Sequence, residues 1–275
     1  MAAALLQLTS SDDPEANLAA LLPMLRRARA EGAALALTPE VTNCVSASRS
    51  RQAEVLCDEA EDPTLAAVRD LAAETGLWVV LGSLALKPAG EQRFVNRAFL
   101  IDGSGAIRAR YDKIHMFDVE IGGTESYRES EGYRPGARAV LAQTPWGRIG
   151  LTICYDVRFP ALYRRLAEAG AEILAVPAAF TVPTGRAHWE ILLRARAIET
   201  GCFVLAPAQT GTHPASRGRS RQTWGQSLAV APWGEVIADA GSDPGITHLS
   251  LDLAEVARAR SRVPALANAC DFEGP

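Results

Sequence analysis

The sequence predicts an α/β protein in which mixed sheets are layered with helices on the outside, and three observations carry that expectation. Helical and strand periodicities alternate from the first residues onward. Several strand patterns also follow one another directly through tight turns, so the sheets cannot be purely parallel. A chain of 275 residues, 48% of them hydrophobic, is long enough to bury an extensive core. With no visible linker, internal repeat or low-complexity stretch, residues 1–275 read as a single domain.

The elements follow in order. Residues 2–8 read as a short strand, "SSDDPEANLAALLPMLRRARAEG" as a capped helix ending at Gly32, and "AALALTPE" as a buried strand whose end is Glu40. "DPTLAAVRDLAAETG" is a second helix, with Pro63 near its start and Gly76 after it. The strands "LWVVLGSLAL", "RFVNRAFLID" and "AIRARYDK" come next, the last two joined by the turn "GSG". A strand at 148–153, a helix from Pro160, the strand "EILAVPAAF", the helix "GRAHWEILLRARAIETG" and the strand "CFVLAPAQ" continue the alternation. The last quarter holds strands near 224–231, "EVIADA" and "ITHLSLDL", and a short helix at 252–260.

Composition narrows the function classes. A net charge of −4 gives no electrostatic reason to expect nucleic acid or an anionic membrane as partner. The N-terminus lacks a basic region, its apolar run is short and soon followed by acids, and no stretch approaches a membrane span. Cys44, Cys57, Cys154, Cys202 and Cys270 are odd in number, widely spaced and without a C-x-x-C pair, which argues against both a disulfide framework and a metal site. A cytoplasmic location is expected for such thiols.

Lysine is scarce. Of 28 basic residues only Lys87 and Lys113 are lysines, so a position that keeps the compact ammonium is a candidate for a task a planar guanidinium cannot perform. Lys87 precedes Pro88 on a loop. Lys113 lies in "RARYDKIHMFDVE", a mixed polar and apolar segment rather than a solvated charge run.

Cys154 raises the sharper question. In "RIGLTICYDVRFP" the alternation places Ile149, Leu151 and Ile153 on one face of a strand and Gly150, Thr152 and Cys154 on the other. Free cysteines are usually buried hydrophobes. This one, however, is expected as the last strand residue before a turn, with a helix starting at Pro160, and the carboxyl end of a strand is where α/β sheets build their sites. A thiol nucleophile needs a base. His115, His188, His213 and His248 are not excluded by position, yet none stands in a Cys-His signature, and Glu40 at another strand end is the carboxylate alternative.

"LALTPE", "YDKIHMFD" and "ICYDVRFP", taken together, strongly resemble the nitrilase or carbon–nitrogen hydrolase superfamily, and the likeness extends through "PAAFTVPTGRAHWEILLRARAIETGCFVLAPAQTG" and "WGQSLAVAPWGEVIA". The resemblance implies a four-layer α-β-β-α sandwich that pairs into homodimers or larger homo-oligomers. It implies Cys154 as nucleophile, Glu40 as general base and Lys113 as oxyanion donor, with the backbone N–H of Tyr155 as a second donor. A further family glutamate matches Glu129, with Glu120, Glu125 and Glu131 as competing positions. No metal and no organic cofactor enter this scheme.

Within the superfamily, "KIHMFDVEIGG", "ESYRES" and "AQTGTH" look most like the amidases that act on deaminated glutathione. Amidases of ω-amides of 2-oxo acids, such as 2-oxoglutaramate, and of N-carbamoyl amino acids are the alternatives; an acyltransferase or an inactive binding protein lies further off. The resemblance implies a small, carboxylate-bearing amide as substrate, held by Arg158 and Thr181. Ala161 and Gln226 depart from residues common in relatives, Glu after "RFP" and His in "WGHS". The segment "SRGRSRQ", with Arg217, Arg219 and Arg221, reads as a solvated loop or as a gate for an anionic, peptide-like substrate.

Overall fold

The computed structural model describes residues 1–122 and 125–274. Its strands in chain order are β1 (Ala2–Gln7), β2 (Leu35–Leu37), β3 (Trp78–Leu86), β4 (Val95–Ile101), β5 (Ile107–Asp112), β6 (Asp118–Gly122), β7 (Glu125–Arg128), β8 (Val140–Gln143), β9 (Arg148–Leu151), β10 (Ile173–Ala175), β11 (Phe203–Ala206), β12 (Thr210–His213), β13 (Arg221–Trp224), β14 (Leu228–Val230), β15 (Val236–Asp239) and β16 (Gly245–Ser250). The helices are α1 (Pro14–Ala30), α2 (Arg49–Val55), α3 (Pro63–Thr75), α4 (Pro160–Glu168), α5 (Val182–Thr200) and α6 (Ala254–Arg262).

Two six-stranded sheets form, ordered β16-β1-β2-β3-β4-β5 and β15-β14-β11-β10-β9-β8. Each has a parallel centre, β1-β2-β3 in one and β9-β10-β11 in the other, flanked by antiparallel strands. Period-two alternation decides which core each side chain enters. Ala3 and Leu5 of β1, Leu35 and Leu37 of β2 and Val80 of β3 pack against Ile149, Leu151, Ile173, Ala175 and Leu205 of the facing sheet. Their neighbours Ala4, Leu6, Ala36, Val79 and Leu81 point the other way, onto Leu21, Leu25 and Ala28 of α1 and Leu65, Val68 and Leu71 of α3. On the far side, Leu162 and Leu166 of α4 and Trp189, Leu193 and Ala197 of α5 cover the second sheet. The result is the four-layer α-β-β-α sandwich that the resemblance implied.

Helix ends follow local rules. Asp13 caps α1 by accepting from the Glu15 and Ala16 N–H groups, Asp62 caps α3 through Leu65, and Gly76 closes α3 in the left-handed conformation at φ 72°. Two expectations are corrected. The strand read to Glu40 ends at Leu37, and the strand read to Ile153 ends at Leu151, so both residues at issue sit on turns past their strands. Hydrophobic runs mark which residues are buried, but a ladder stops where the neighbouring strand stops, and that is a property of the pairing. Helix α2, the hairpins β6-β7 and β12-β13, and the edge strand β8 were not anticipated, because each is short and lacks a clear apolar stripe.

Candidate active site

The turns that follow β2, β5 and β9 converge at one end of the paired sheets. Gly82 on β3 makes the convergence possible: a Cβ there would stand 2.6 Å from both the Pro39 carbonyl oxygen and the Pro177 side chain, so the Thr38–Glu40 turn and the segment after β10 can close over it only if it is glycine. Val41, next to Glu40, is held at φ 47° by its N–H bond to Ser83 Oγ at 2.8 Å.

Cys154 opens a 3-10 turn, Cys154–Arg158, with φ 49°, a left-handed conformation that costs a non-glycine residue energy. Three contacts hold it there. Its own N–H donates to Pro177 O at 2.8 Å, the Ile153 N–H to Asp156 Oδ2 at 2.9 Å, and the Asp156 N–H back to Ile153 O at 3.0 Å. The consequence is a thiol turned away from the strand's alternation and toward the cavity.

There it meets Glu40 and Lys113. Lys113 Nζ lies 2.9 Å from Glu40 Oε1 and 2.9–3.0 Å from both Glu129 oxygens, so one ammonium bridges two carboxylates. Asn96 Nδ2 also donates to Glu40 Oε1 at 2.9 Å. Glu129 Oε2 is fixed by the Phe117 N–H at 2.6 Å. Lys113 is 2% exposed, Glu40 4% and Cys154 7%, so the cluster works in a low-dielectric setting.

Burial opposes charge on Glu40, but the Lys113 ammonium, the Cys154 thiol and, further off, Arg221 outweigh it and hold the carboxyl below the usual range. Burial likewise opposes charge on Lys113, and Glu129 and Glu40 overcome it, lifting the ammonium well above its ordinary value. Burial and then the charge of Glu40 push the Cys154 thiol well above the usual thiol range, against the pull of Lys113 and of the Ala179 N–H. The resting cluster is therefore a neutral thiol beside a carboxylate and an ammonium. Such a thiol attacks only when a base removes its proton, and an ionised carboxylate stands ready to do so.

A cavity of about 260 Å³ opens on these residues. Tyr155, Phe117, Phe180, Tyr127 and Tyr133 supply its apolar wall, and Arg49, Arg128, Arg219 and Arg221 its charged rim. Among the competing glutamates, Glu120 pairs with Arg128 and Glu131 with Arg49, and the side chain of Glu125 lies outside the described residues. Glu129 alone of those described reaches Lys113.

Arg158 and Thr181 are not among the lining residues. Arg158 lies against two of the wall residues, 5.9 Å from the Tyr155 ring and 5.4 Å from the Phe180 ring, with Nη2 3.2 Å from His188 Nδ1. Thr181 is 2% exposed and its hydroxyl pairs with that of Thr184 at 2.8 Å; it is Thr184 that faces the cavity. None of the four histidines lines the cavity: His213 is locked between Ser10 O and Thr223 Oγ1, and His248 pairs with Glu31. Ala161 is exposed on α4, and Gln226, at φ 58°, has its carbonyl occupied by the Trp189 indole N–H. Neither departure touches the cavity.

The sequence reading missed Asn96, Arg49, Arg128 and the apolar wall, and left Arg219 and Arg221 undecided between loop and gate. The only signal for the last two was their arginine-rich setting. Among the described residues no group of histidine, cysteine or acidic side chains is arranged to hold a metal ion, and no helix is long and apolar enough to cross a membrane.

Comparison with known proteins is consistent along the length of the chain. The family model described as carbon-nitrogen hydrolase matches residues 2–261. A deaminated glutathione amidase of Yersinia enterocolitica is 40% identical over 96% of this chain and 91% of its own length, and one of Homo sapiens is 39% identical over 95% and 80%. The crystal structure of the C. elegans NitFhit protein superposes with a TM-score of 0.90 at 37% identity, covering 98% of this chain, which spans 64% of that longer protein.

Proposed function

This chain belongs to the carbon–nitrogen hydrolase family, and from that premise we propose that it is an amidase that cleaves a non-peptide amide through a thioester on Cys154, with deaminated glutathione as its substrate. The observation that carries the reading is the position of Lys113 Nζ, 2.9 Å from Glu40 and 2.9 Å from Glu129, beside a thiol held at positive φ.

In this scheme Glu40 takes the thiol proton as the sulfur attacks the amide carbon. The carbonyl oxygen gathers negative charge against Lys113 Nζ and the Tyr155 N–H, which lies in the first turn of its 3-10 segment, where N–H groups lack partners within the turn. The C–N bond then breaks, and Glu40 returns the proton to the departing nitrogen. Water, deprotonated by Glu40, hydrolyses the thioester and regenerates the thiol. One carboxylate thus serves as base, acid and base again, which is the reason no histidine is needed. Glu129 keeps the ammonium aimed while its partner Glu40 changes protonation.

Deaminated glutathione is favoured over other amides because the named relatives at 39–40% identity carry that activity in their descriptions and because the cavity rim is rich in arginine. The five free cysteines support a reducing, cytoplasmic setting, and Ile191 and Ile198 on α5, 69% and 57% exposed, support a homodimer or larger homo-oligomer. The test is release of 2-oxoglutarate and the amine product from deaminated glutathione, with 2-oxoglutaramate and an N-carbamoyl amino acid as parallel substrates. Turnover of deaminated glutathione highest of the three, and lost in Cys154→Ala, supports the reading; a higher kcat/KM on either other substrate replaces it.

A further inference from the structure

The geometry points to Arg221, with Arg219 beside it, as an anion subsite that holds a carboxylate of the substrate. The inference deepens the amidase reading and rests on it. A substrate carboxylate needs a cation in the cavity that is not already spent, and the reacting end offers none: its single ammonium is shared between Glu40 and Glu129. Four arginines stand on the rim. Arg49 is engaged by Glu131 at 3.2 Å and by Arg128 O at 2.9 Å, and Arg128 by Glu120 at 2.6 Å. Arg219 and Arg221 have no carboxylate partner among the described residues.

Arg221 is the better placed of the two. It is half-buried on β13, its Nη2 donates to Ala179 O at 3.1 Å, and its guanidinium lies 5.9 Å from the Tyr127 ring. Its Nε is buried without a hydrogen-bond partner, whereas Nη1, also without one among the described residues, is not buried and is free to donate to an acceptor in the cavity. Ala179 connects this cation to the chemistry, because its carbonyl orients Arg221 while its N–H is directed at the Cys154 thiol. Arg221 and the Cys154 thiol thus share Ala179 as a backbone neighbour, and a carboxylate held by Arg221 would lie in the same cavity as the sulfur. The hairpin is itself anchored over the site, through Thr210 N–H to Leu8 O at 2.8 Å and Trp224 N–H to Phe180 O at 2.9 Å, so the fork is presented from a fixed strand. Arg219, exposed at the rim, adds charge at the entrance.

The experiment compares acids with neutral isosteres: glutaramate against glutaramide, and deaminated glutathione against its glycine amide. Preference for the acid, expressed as a ratio of kcat/KM, should fall about tenfold or more in Arg221→Met and only partly in Arg221→Lys, which keeps the charge without the fork. Loss of preference within the glutaramate pair assigns the subsite to the acyl-side carboxylate; loss confined to the glutathione pair assigns it to the glycine end. Calorimetric binding of the same four compounds to Cys154→Ala, with and without Arg221→Met, reads the subsite without turnover. Acid-selective binding that depends on Arg221 upholds the subsite even if deaminated glutathione proves a poor substrate. Binding that is absent, or equal for acid and amide, or an acid preference unchanged in Arg221→Met, overturns it.

Discussion

Asp156 Oδ1 lies 2.7 Å from His115 Nδ1, and through that pair the turn bearing Cys154 is tied to the segment bearing Lys113. The same oxygen accepts the His115 N–H at 3.1 Å, and Oδ2 accepts the Ile153 N–H at 2.9 Å and the Tyr111 hydroxyl at 2.6 Å. His115 and Tyr111 flank Lys113 by two residues on either side, and Ile153 precedes Cys154. One fully buried carboxylate thus ties the Cys154 turn to the strand end that carries the Lys113 ammonium. Asp156→Asn turns one acceptor into a donor facing donors, so we expect a loss of about 2–4 kcal/mol in stability and a fall in kcat larger than any change in KM. Thermal denaturation and steady-state kinetics check it; normal kcat in a folded variant would remove Asp156 from the positioning of the site.

Lys113 is expected to resist conservative replacement. A guanidinium cannot occupy a 2%-exposed point between two carboxylates without displacing one of them. Lys113→Arg should lower kcat on the order of 10²–10³. Lys113→Ala should in addition destabilise the fold by about 3–5 kcal/mol, because it leaves Glu40 and Glu129 buried without their cation. Wild-type turnover in Lys113→Arg would show that charge alone suffices.

The acyl group should be found on Cys154 and not on Cys44, although both line the cavity. Burial pushes the Cys44 thiol up to about 12, and among the described residues no hydrogen-bonding base accompanies it. Mass spectrometry of quenched turnover should find the adduct on the Cys154 peptide; label on Cys44 or Cys202 would reassign the nucleophile.

The pH dependence follows from the directions of the shifts. With the Glu40 carboxyl held below its usual range, kcat/KM should stay flat through weakly acidic pH and fall only below the ordinary carboxylate range. With Lys113 and Cys154 raised, no alkaline limb from these groups is expected until above their ordinary values. Stability has the matching signs. Glu40, depressed on folding, contributes stability present above its unfolded pKa of about 4.3 and lost as pH falls through the folded value. Lys113, raised on folding, contributes stability present below about 10.4 and lost as pH rises through the folded value. Denaturant unfolding and initial rates across pH test both; an acidic limb near neutrality would place Glu40 in the wrong charge state.

Arg158→Met should alter acid and neutral amides alike, because Arg158 lies against the Tyr155 and Phe180 rings and is not among the residues lining the cavity. Nor does it bridge to Asp156, whose oxygens are filled by Tyr111, His115 and Ile153. A selective loss for the acid would return the carboxylate to Arg158.

The sequence by itself determined the alternation of elements and the two-sided strands that make a layered sandwich, because periodicity and capping are local and are written in consecutive residues; its short motifs, through the family resemblance they carry, marked Glu40, Lys113 and Cys154 as candidates. It did not determine where β2 and β9 stop, that Cys154 departs from its strand at positive φ, or that Thr184 rather than Thr181 is among the residues lining the cavity. Those outcomes depend on which strand lies alongside and which turn packs on which. Only the tertiary structure decided that Asp156 unites Tyr111, His115 and Ile153, or that a hairpin beginning at Thr210 brings Arg221 onto the carbonyl of Ala179, whose N–H faces the Cys154 thiol. The Asp156 bonds to Tyr111 and His115 span 45 and 41 residues, and a hydrogen bond is specified by the positions of both partners, which no stretch of either one encodes alone.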